Sequence, residues 1–205
     1  MYINGQWLST ATRFPVFNPA TGEQLGEVAN GDRGHAREAI TAAAAALPGW
    51  SATTAYERSE KLYAAHRLMM ERRPQLAELM TREQGKPLKA SMNEVKYAAD
   101  FLLWFAEEAN RLYGETIPSA RADQRVQVHK QAVGVVAAGT PWNYPNSMLT
   151  RKLAPALAAG CTVVLKPAEA TPLCAMAVFE ILDQAGFPPG VVNLVTAEAV
   201  SYTHL

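Results

Sequence analysis

Two short segments concentrate side chains that can do chemistry. The first, Gly139-Thr140-Pro141-Trp142-Asn143-Tyr144-Pro145, presents an indole and a carboxamide on a stretch that two prolines stiffen. The second, Lys166-Pro167-Ala168-Glu169, puts one cation and one anion within a single tight turn. An ammonium donates to hydroxyls and a carboxylate accepts from them, so this pair can grip a nucleotide ribose; a capping salt bridge would use the same two residues. Gly134 and Gly139 have the spacing of a phosphate loop, but Thr140-Pro141 follows where Lys-Ser/Thr is required. No GxGxxG occurs, so the ordinary dinucleotide fingerprint is absent. CxxC, HxxxH and HExxH spacings are missing too, and no metal site is expected.

The elements that must carry these segments read as strand, helix, strand, helix, strand. Residues 133–138 are a run without polar side chains, 146–159 are helical with Pro155 inside, and 162–165 form a second apolar strand. Thr171 then caps a helix that starts at Pro172 and ends at Gly186, and residues 191–195 are the third strand. Apolar strands spaced by amphipathic helices predict an α/β fold with a parallel sheet buried on both faces and right-handed crossovers. Ligands bind such sheets outside the carboxyl ends of the strands, which is where both segments fall.

Upstream, turn signals at Asn4-Gly5, Asn18-Pro19 and Thr21-Gly22 mark small strands or hairpins in the first 30 residues. Four helices follow. Asp32 caps the first, whose inner face is Ala36, Ile40, Ala43, Ala44 and Leu47, with Pro48-Gly49 as its stop. Thr54 and Glu57 form a capping box for the second, which turns Leu62, Ala65, Leu68 and Met69 inward. Pro74 opens the third, Gly85 and Pro87 end it, and the fourth runs from about Pro87 to Tyr113 with Gly114 as its C′ residue. Arg125-Val126-Gln127-Val128-His129 alternates polar and apolar side chains, so it reads as a strand with one wet face whose edge another chain covers, or as an ordinary edge hairpin.

Composition narrows the classes of partner. In 205 residues there are 19 Lys+Arg and 19 Asp+Glu, so charge offers no general reason to expect nucleic acid or anionic lipid. With 49% hydrophobic and 19% charged residues the chain can bury a core. It has no run of about 18 apolar residues and therefore no expected membrane span. The N-terminus lacks the basic and apolar regions of a signal peptide, and Cys161 and Cys174 cannot make a disulfide framework; both points fit a reducing cytoplasm.

Several motifs together carry a resemblance. Residues 140–145, the segment Pro155-Ala156-Leu157-Ala158-Ala159-Gly160-Cys161, Lys166-Pro167-Ala168-Glu169, Phe17-Asn18-Pro19-Ala20-Thr21-Gly22 and Glu83-Gln84-Gly85-Lys86-Pro87-Leu88 resemble the N-terminal half of the aldehyde dehydrogenase superfamily. Phe105-Ala106-Glu107-Glu108, Tyr113-Gly114-Glu115-Thr116-Ile117-Pro118 and Thr150-Arg151-Lys152 are most similar to succinate-semialdehyde dehydrogenases. The resemblance implies N-terminal helices and a partial Rossmann-type sheet, stopping before the catalytic domain. Residues 1–114 would be strands and helices of the cofactor-binding domain, 115–131 a β arm for oligomerisation, 132–200 the first half of the NAD(P)-binding sheet, and 201–205 a foreign or mistranslated tail.

The resemblance also implies a mechanism. A cysteine thiolate attacks the aldehyde, the thiohemiacetal passes hydride to a nicotinamide, and a glutamate-activated water releases the acid. Asn143 matches the asparagine whose amide stabilises the oxyanion; a helix-entry cap is the alternative for the same residue. Lys166 and Glu169 match the pair around the adenosine ribose, with Gly139, Thr140, Pro141, Trp142, Pro167 and Ala168 beside them. A carboxylate at Glu169 accepts from a free 2′-hydroxyl and repels a 2′-phosphate, favouring NAD over NADP. Arg151 falls eight residues after Asn143, about two turns along the crossover helix, where a guanidinium could line the substrate tunnel and hold the far carboxylate of succinic semialdehyde; a surface or interface arginine is the alternative. Neither cysteine fits the nucleophile: Cys161 opens a buried strand, and Cys174 is on the wrong motif. His35, His66 and His129 read as surface residues. The superfamily's nucleophile, general base and glycine-rich cofactor motif lie beyond Leu205, so these residues alone are expected to be inactive and to join a homo-oligomer only at full length. The alternatives are a non-catalytic nucleotide-binding or assembly module docking through residues 125–131, and a dehydrogenase for another semialdehyde or an uncharged aldehyde.

Overall fold

The structure is a computed structural model in which residues 1–198 are described; residues 201–205, expected to be a foreign tail, lie outside them, as do 199 and 200. The chain opens with four short strands, β1 (Tyr2–Ile3), β2 (Gln6–Trp7), β3 (Arg13–Phe17) and β4 (Gln24–Ala29). In β3 the alternation Arg13, Phe14, Pro15, Val16, Phe17 buries Phe14 and Val16 and leaves the other three outside, as a two-residue period requires. This strand pairs antiparallel with β4, and Phe14, Val16 and Val28 form a small cluster against Leu173 and Met176.

Four helices follow: α1 (Arg33–Ser51), α2 (Ala55–Glu71), α3 (Arg73–Gln84) and α4 (Leu88–Ala109). The Asp32 and Thr54 caps form as expected, the Thr54 hydroxyl accepting from the Glu57 amide at 3.2 Å. Pro48-Gly49 does not stop α1, which runs on to Ser51. Its buried residues are Ala39, Ala43 and Trp50, whereas Ile40 and Ala44, both expected inside, are exposed. Gly85 ends α3 in the left-handed conformation at φ 80°, which costs a glycine nothing. The fourth helix stops at Ala109, earlier than Gly114. Gly114 has another reason to be glycine: a Cβ there would meet the Val128 carbonyl oxygen at 2.3 Å. That approach belongs to the hairpin of β5 (Glu115–Ile117) and β6 (Val126–Val128), whose six residues are all exposed, so neither face is covered.

The second half supplies β7 (Val135–Gly139), α5 (Ser147–Ala158), β8 (Thr162–Lys166), α6 (Pro172–Gln184) and β9 (Val192–Leu194). The sheet order is β2-β1-β9-β8-β7, parallel across β7, β8 and β9, with β1 antiparallel to β9. The expected α/β architecture is therefore present. Val163 and Leu165 enter the main core with α5 and α6, while Val164 packs with Ala39 on the α1 side, so the sheet is covered on both faces at its centre. At its edge β7 is less covered than its apolar run suggests: only Ala138 is fully buried, and Val133 before it is 90% exposed. No helix of the described residues is long and apolar enough to cross a membrane.

Candidate cofactor groove and catalytic loop

Both loops leave the same rim of the sheet. Gly139 is in register with Lys166, and the Thr140 amide donates to the Lys166 carbonyl at 3.1 Å, carrying the ladder one residue past the strands. Lys152 on α5 donates to the Gly139 carbonyl at 2.6 Å and ties the crossover helix to that rim. Between the loops lies a groove of about 770 Å³. Gly139, Thr140, Pro141 and Trp142 line it from one loop, and Lys166, Pro167, Ala168 and Glu169 from the other. All eight residues matched to cofactor binding thus share one cavity.

The charged pair is part of this lining. The Lys166 ammonium donates to the Glu169 carboxylate at 3.3 Å, and their side chains are 21% and 43% exposed. Burial lowers the pKa of Lys166, and Glu169 offsets part of that effect. Ala36 and Ile40 of α1, which helical periodicity places on an inner face, complete the wall together with the N-cap Asp32 and with Val195 and Ala197 beyond β9. The half-exposed Ile40 is explained by this groove. In a helix whose inner face is mostly alanine, periodicity alone could not separate a core-facing isoleucine from a cavity-facing one.

Asn143 follows Trp142, is exposed and stands outside the groove lining; its carbonyl accepts from Lys86 Nζ at 3.0 Å. It does not cap α5, whose N-cap residue is Asn146. Arg151 is also outside the lining and exposed. Its guanidinium donates to the Tyr97 hydroxyl at 2.8 Å and lies 5.1 Å from the centre of the Phe101 ring, on an aromatic shelf of α4 that continues through Trp104.

Behind the second loop the expected Thr171 cap makes no side-chain bond to α6. Glu83, at the end of α3, takes its place: its carboxylate accepts from the Leu173 amide at 2.5 Å and the Cys174 amide at 2.8 Å. Burial pushes the Glu83 carboxyl up to about 7 against these two donors. Nothing near Thr171 in sequence points to a cap 88 positions upstream. Cys174 is itself buried, and burial beside Glu83 drives its thiol well above the ordinary range, the reverse of the shift that activates a thiol. Cys161 is equally buried and unpaired. Trp142 and Glu169 border a second cavity, of about 350 Å³, that reaches Glu83.

Comparison with known proteins accounts for this arrangement. The aldehyde dehydrogenase family model matches residues 7–204. A glutarate-semialdehyde dehydrogenase of Pseudomonas putida is 54% identical over 200 residues, which are 97% of this chain and 42% of that protein. The NADP(+) succinate-semialdehyde dehydrogenase of Escherichia coli is 53% identical over 199 residues, 96% of this chain and 41% of that protein. Among solved structures, an Escherichia coli NADP-dependent enzyme superposes with a TM-score of 0.96 at 52% identity, covering 98% of this chain and 42% of that one. A betaine aldehyde dehydrogenase from Staphylococcus aureus, in complex with NAD+, gives 0.95 at 37% identity, covering 98% of this chain and 42% of that one. The chain spans about two fifths of the length of the relatives it matches. It belongs to the aldehyde dehydrogenase family.

Proposed function

We propose that this chain supplies half of the dinucleotide pocket and the oxyanion donor of an NAD(P)-dependent dehydrogenase for a carboxylated aldehyde, with succinic semialdehyde as the substrate. The observation that carries the reading is the groove in which the Lys166–Glu169 turn faces the Trp142 loop across one sheet rim. Its chemistry suits a dinucleotide. Ala36, Ile40 and Val164 offer an apolar wall to a base, and the ammonium and carboxylate in the same lining offer a donor and an acceptor to a ribose. A bound nicotinamide would supply the hydride acceptor.

The chain's own residues would do the following. Glu169 accepts from the ribose 2′-hydroxyl and disfavours a 2′-phosphate, so NAD is the expected cofactor; the Lys166 ammonium beside it makes NADP the competing outcome. Asn143 donates from its side-chain amide to the oxyanion, and losing one such donor typically costs about 100- to 1000-fold in rate. Arg151, fixed on Tyr97 and Phe101, pairs with the far carboxylate. Both cysteines are buried, so the thiolate nucleophile would come from residues outside this sequence, and these 205 residues alone would not oxidise aldehydes. Residues 115–131 would form the arm through which full-length subunits associate, since the apolar side chains of Ile117, Val126 and Val128 stand uncovered. Two unpaired cysteines accord with a reducing, cytoplasmic setting.

Substrate profiling of a full-length enzyme carrying this sequence tests the assignment, with reduced nicotinamide followed by absorbance. Arg151→Ala should raise KM for succinic semialdehyde far more than for butanal. Equal changes for both aldehydes would remove Arg151 from the substrate site.

A further inference from the structure

The segment Glu83-Gln84-Gly85-Lys86-Pro87-Leu88 contains a lysine that the proposed reaction does not use. Its side chain is 13% exposed and pairs with Glu94, one of the most buried acids of α4 at 2%. From there the two residues hold the loop between β7 and α5 on both sides of Pro145. Lys86 Nζ donates to the Asn143 carbonyl at 3.0 Å and lies 4.0 Å above the Tyr144 ring. Glu94 donates nothing but accepts from the Asn146 amide at 3.1 Å and the Ser147 amide at 3.4 Å, doing for α5 what the Asn146 side chain does not. Four contacts, on residues 143, 144, 146 and 147, therefore converge on one ion pair.

We infer that Lys86, oriented by Glu94, is a positioning residue that sets the peptide plane of Asn143 and thereby aims its carboxamide. This rests on the reading of Asn143 as the oxyanion donor. A buried ion pair is poor evidence of a stability role, because desolvating two charges offsets most of their attraction and an apolar pair of similar volume often serves as well. What an apolar pair cannot do is grip a carbonyl and two amides at fixed angles. An oxyanion donor acts only when held in place before the reaction, and a displacement of about 1 Å can cost about 100-fold. Asn143 is exposed at a loop tip, so its aim depends on such an external hold on the main chain. Lys86 stands outside the groove lining and would act only through Asn143.

The test uses a full-length enzyme carrying this sequence. Lys86→Met leaves Glu94 buried without its partner and can fail to fold, so the principal variant is Lys86→Met with Glu94→Gln, which stays neutral and keeps an acceptor for the Asn146 amide. It should lower kcat about 10- to 100-fold with cofactor KM within about twofold, and Lys86→Arg should keep most of the activity. Hydrogen exchange of a peptide spanning residues 140–150 should quicken in the paired variant. Adding it to Asn143→Ala should bring no further loss of kcat, because two residues acting as a unit are not additive. A normal kcat in the paired variant, or an additive loss on Asn143→Ala, overturns the inference while leaving the role of Asn143 standing. An unaltered kcat in Asn143→Ala itself overturns the underlying reading, and the inference with it.

Discussion

Replacing Glu83 by glutamine should abolish a specific slope in stability against pH. The carboxyl is pushed from its usual 4.5 up to about 7 because burial penalises the charge more than the Leu173 and Cys174 amides reward it. A folded pKa above the unfolded one means the folded state holds the proton more tightly. The stabilisation is thus complete below about pH 4.5, falls as pH rises, and is gone above about pH 7. At about 1.36 kcal/mol per pH unit the window amounts to roughly 3 kcal/mol. Urea unfolding at steps between pH 5 and 8 measures it, with wild type and Glu83→Gln run in parallel so that other titrating groups cancel. One of these is His66, whose pKa burial lowers; its contribution has the opposite sign, being lost as pH falls. The wild-type curve should decline toward pH 7 relative to the variant by about 2–3 kcal/mol. Parallel curves would mean that Glu83 is ionised throughout and that its two amide donors outweigh burial.

Two further outcomes follow from the same site and from the arm. Glu169→Ser should shift cofactor preference toward NADP by about tenfold or more, the scale of one charge contact near a phosphate, in calorimetric titrations of NAD+ and NADP+; an unchanged ratio would dissociate Glu169 from the ribose. Val126→Lys with Val128→Lys places two cations on the exposed face of β6 and should shift light-scattering mass toward smaller assemblies, whereas an unaltered mass would make the hairpin an ordinary edge.

Features written in short-range patterns were legible in advance, and those made by distant pairing were not. The β7-α5-β8-α6-β9 succession follows from apolar runs, a proline at the start of α6 and glycine at its end, each a local signal. Placing the Trp142 and Lys166 loops on one rim needed only the rule that parallel strands present their carboxyl ends together. The Glu83 cap on α6, about 90 residues away, and the Lys86 hold on Asn143, 57 residues away, are side-chain contacts that no periodicity encodes. On the inner face of α1 the pattern fails at Ile40 and Ala44, both exposed, because alanines on neighbouring faces carry almost no hydrophobic contrast. Gly114 was a helix terminator by pattern, yet the close approach of the Val128 carbonyl is what excludes a side chain there.

The Trp142 and Lys166 loops are stitched to each other through main-chain atoms, Thr140 amide to Lys166 carbonyl. Backbone stitching is indifferent to which side chains it carries. Under the proposed function, residues 166–169 would form an exchangeable cassette: selection for a different dinucleotide would rewrite the side chains that meet it while the turn carrying the proposed oxyanion donor keeps its frame. Retuning of cofactor use and preservation of the chemical step would then be separable events.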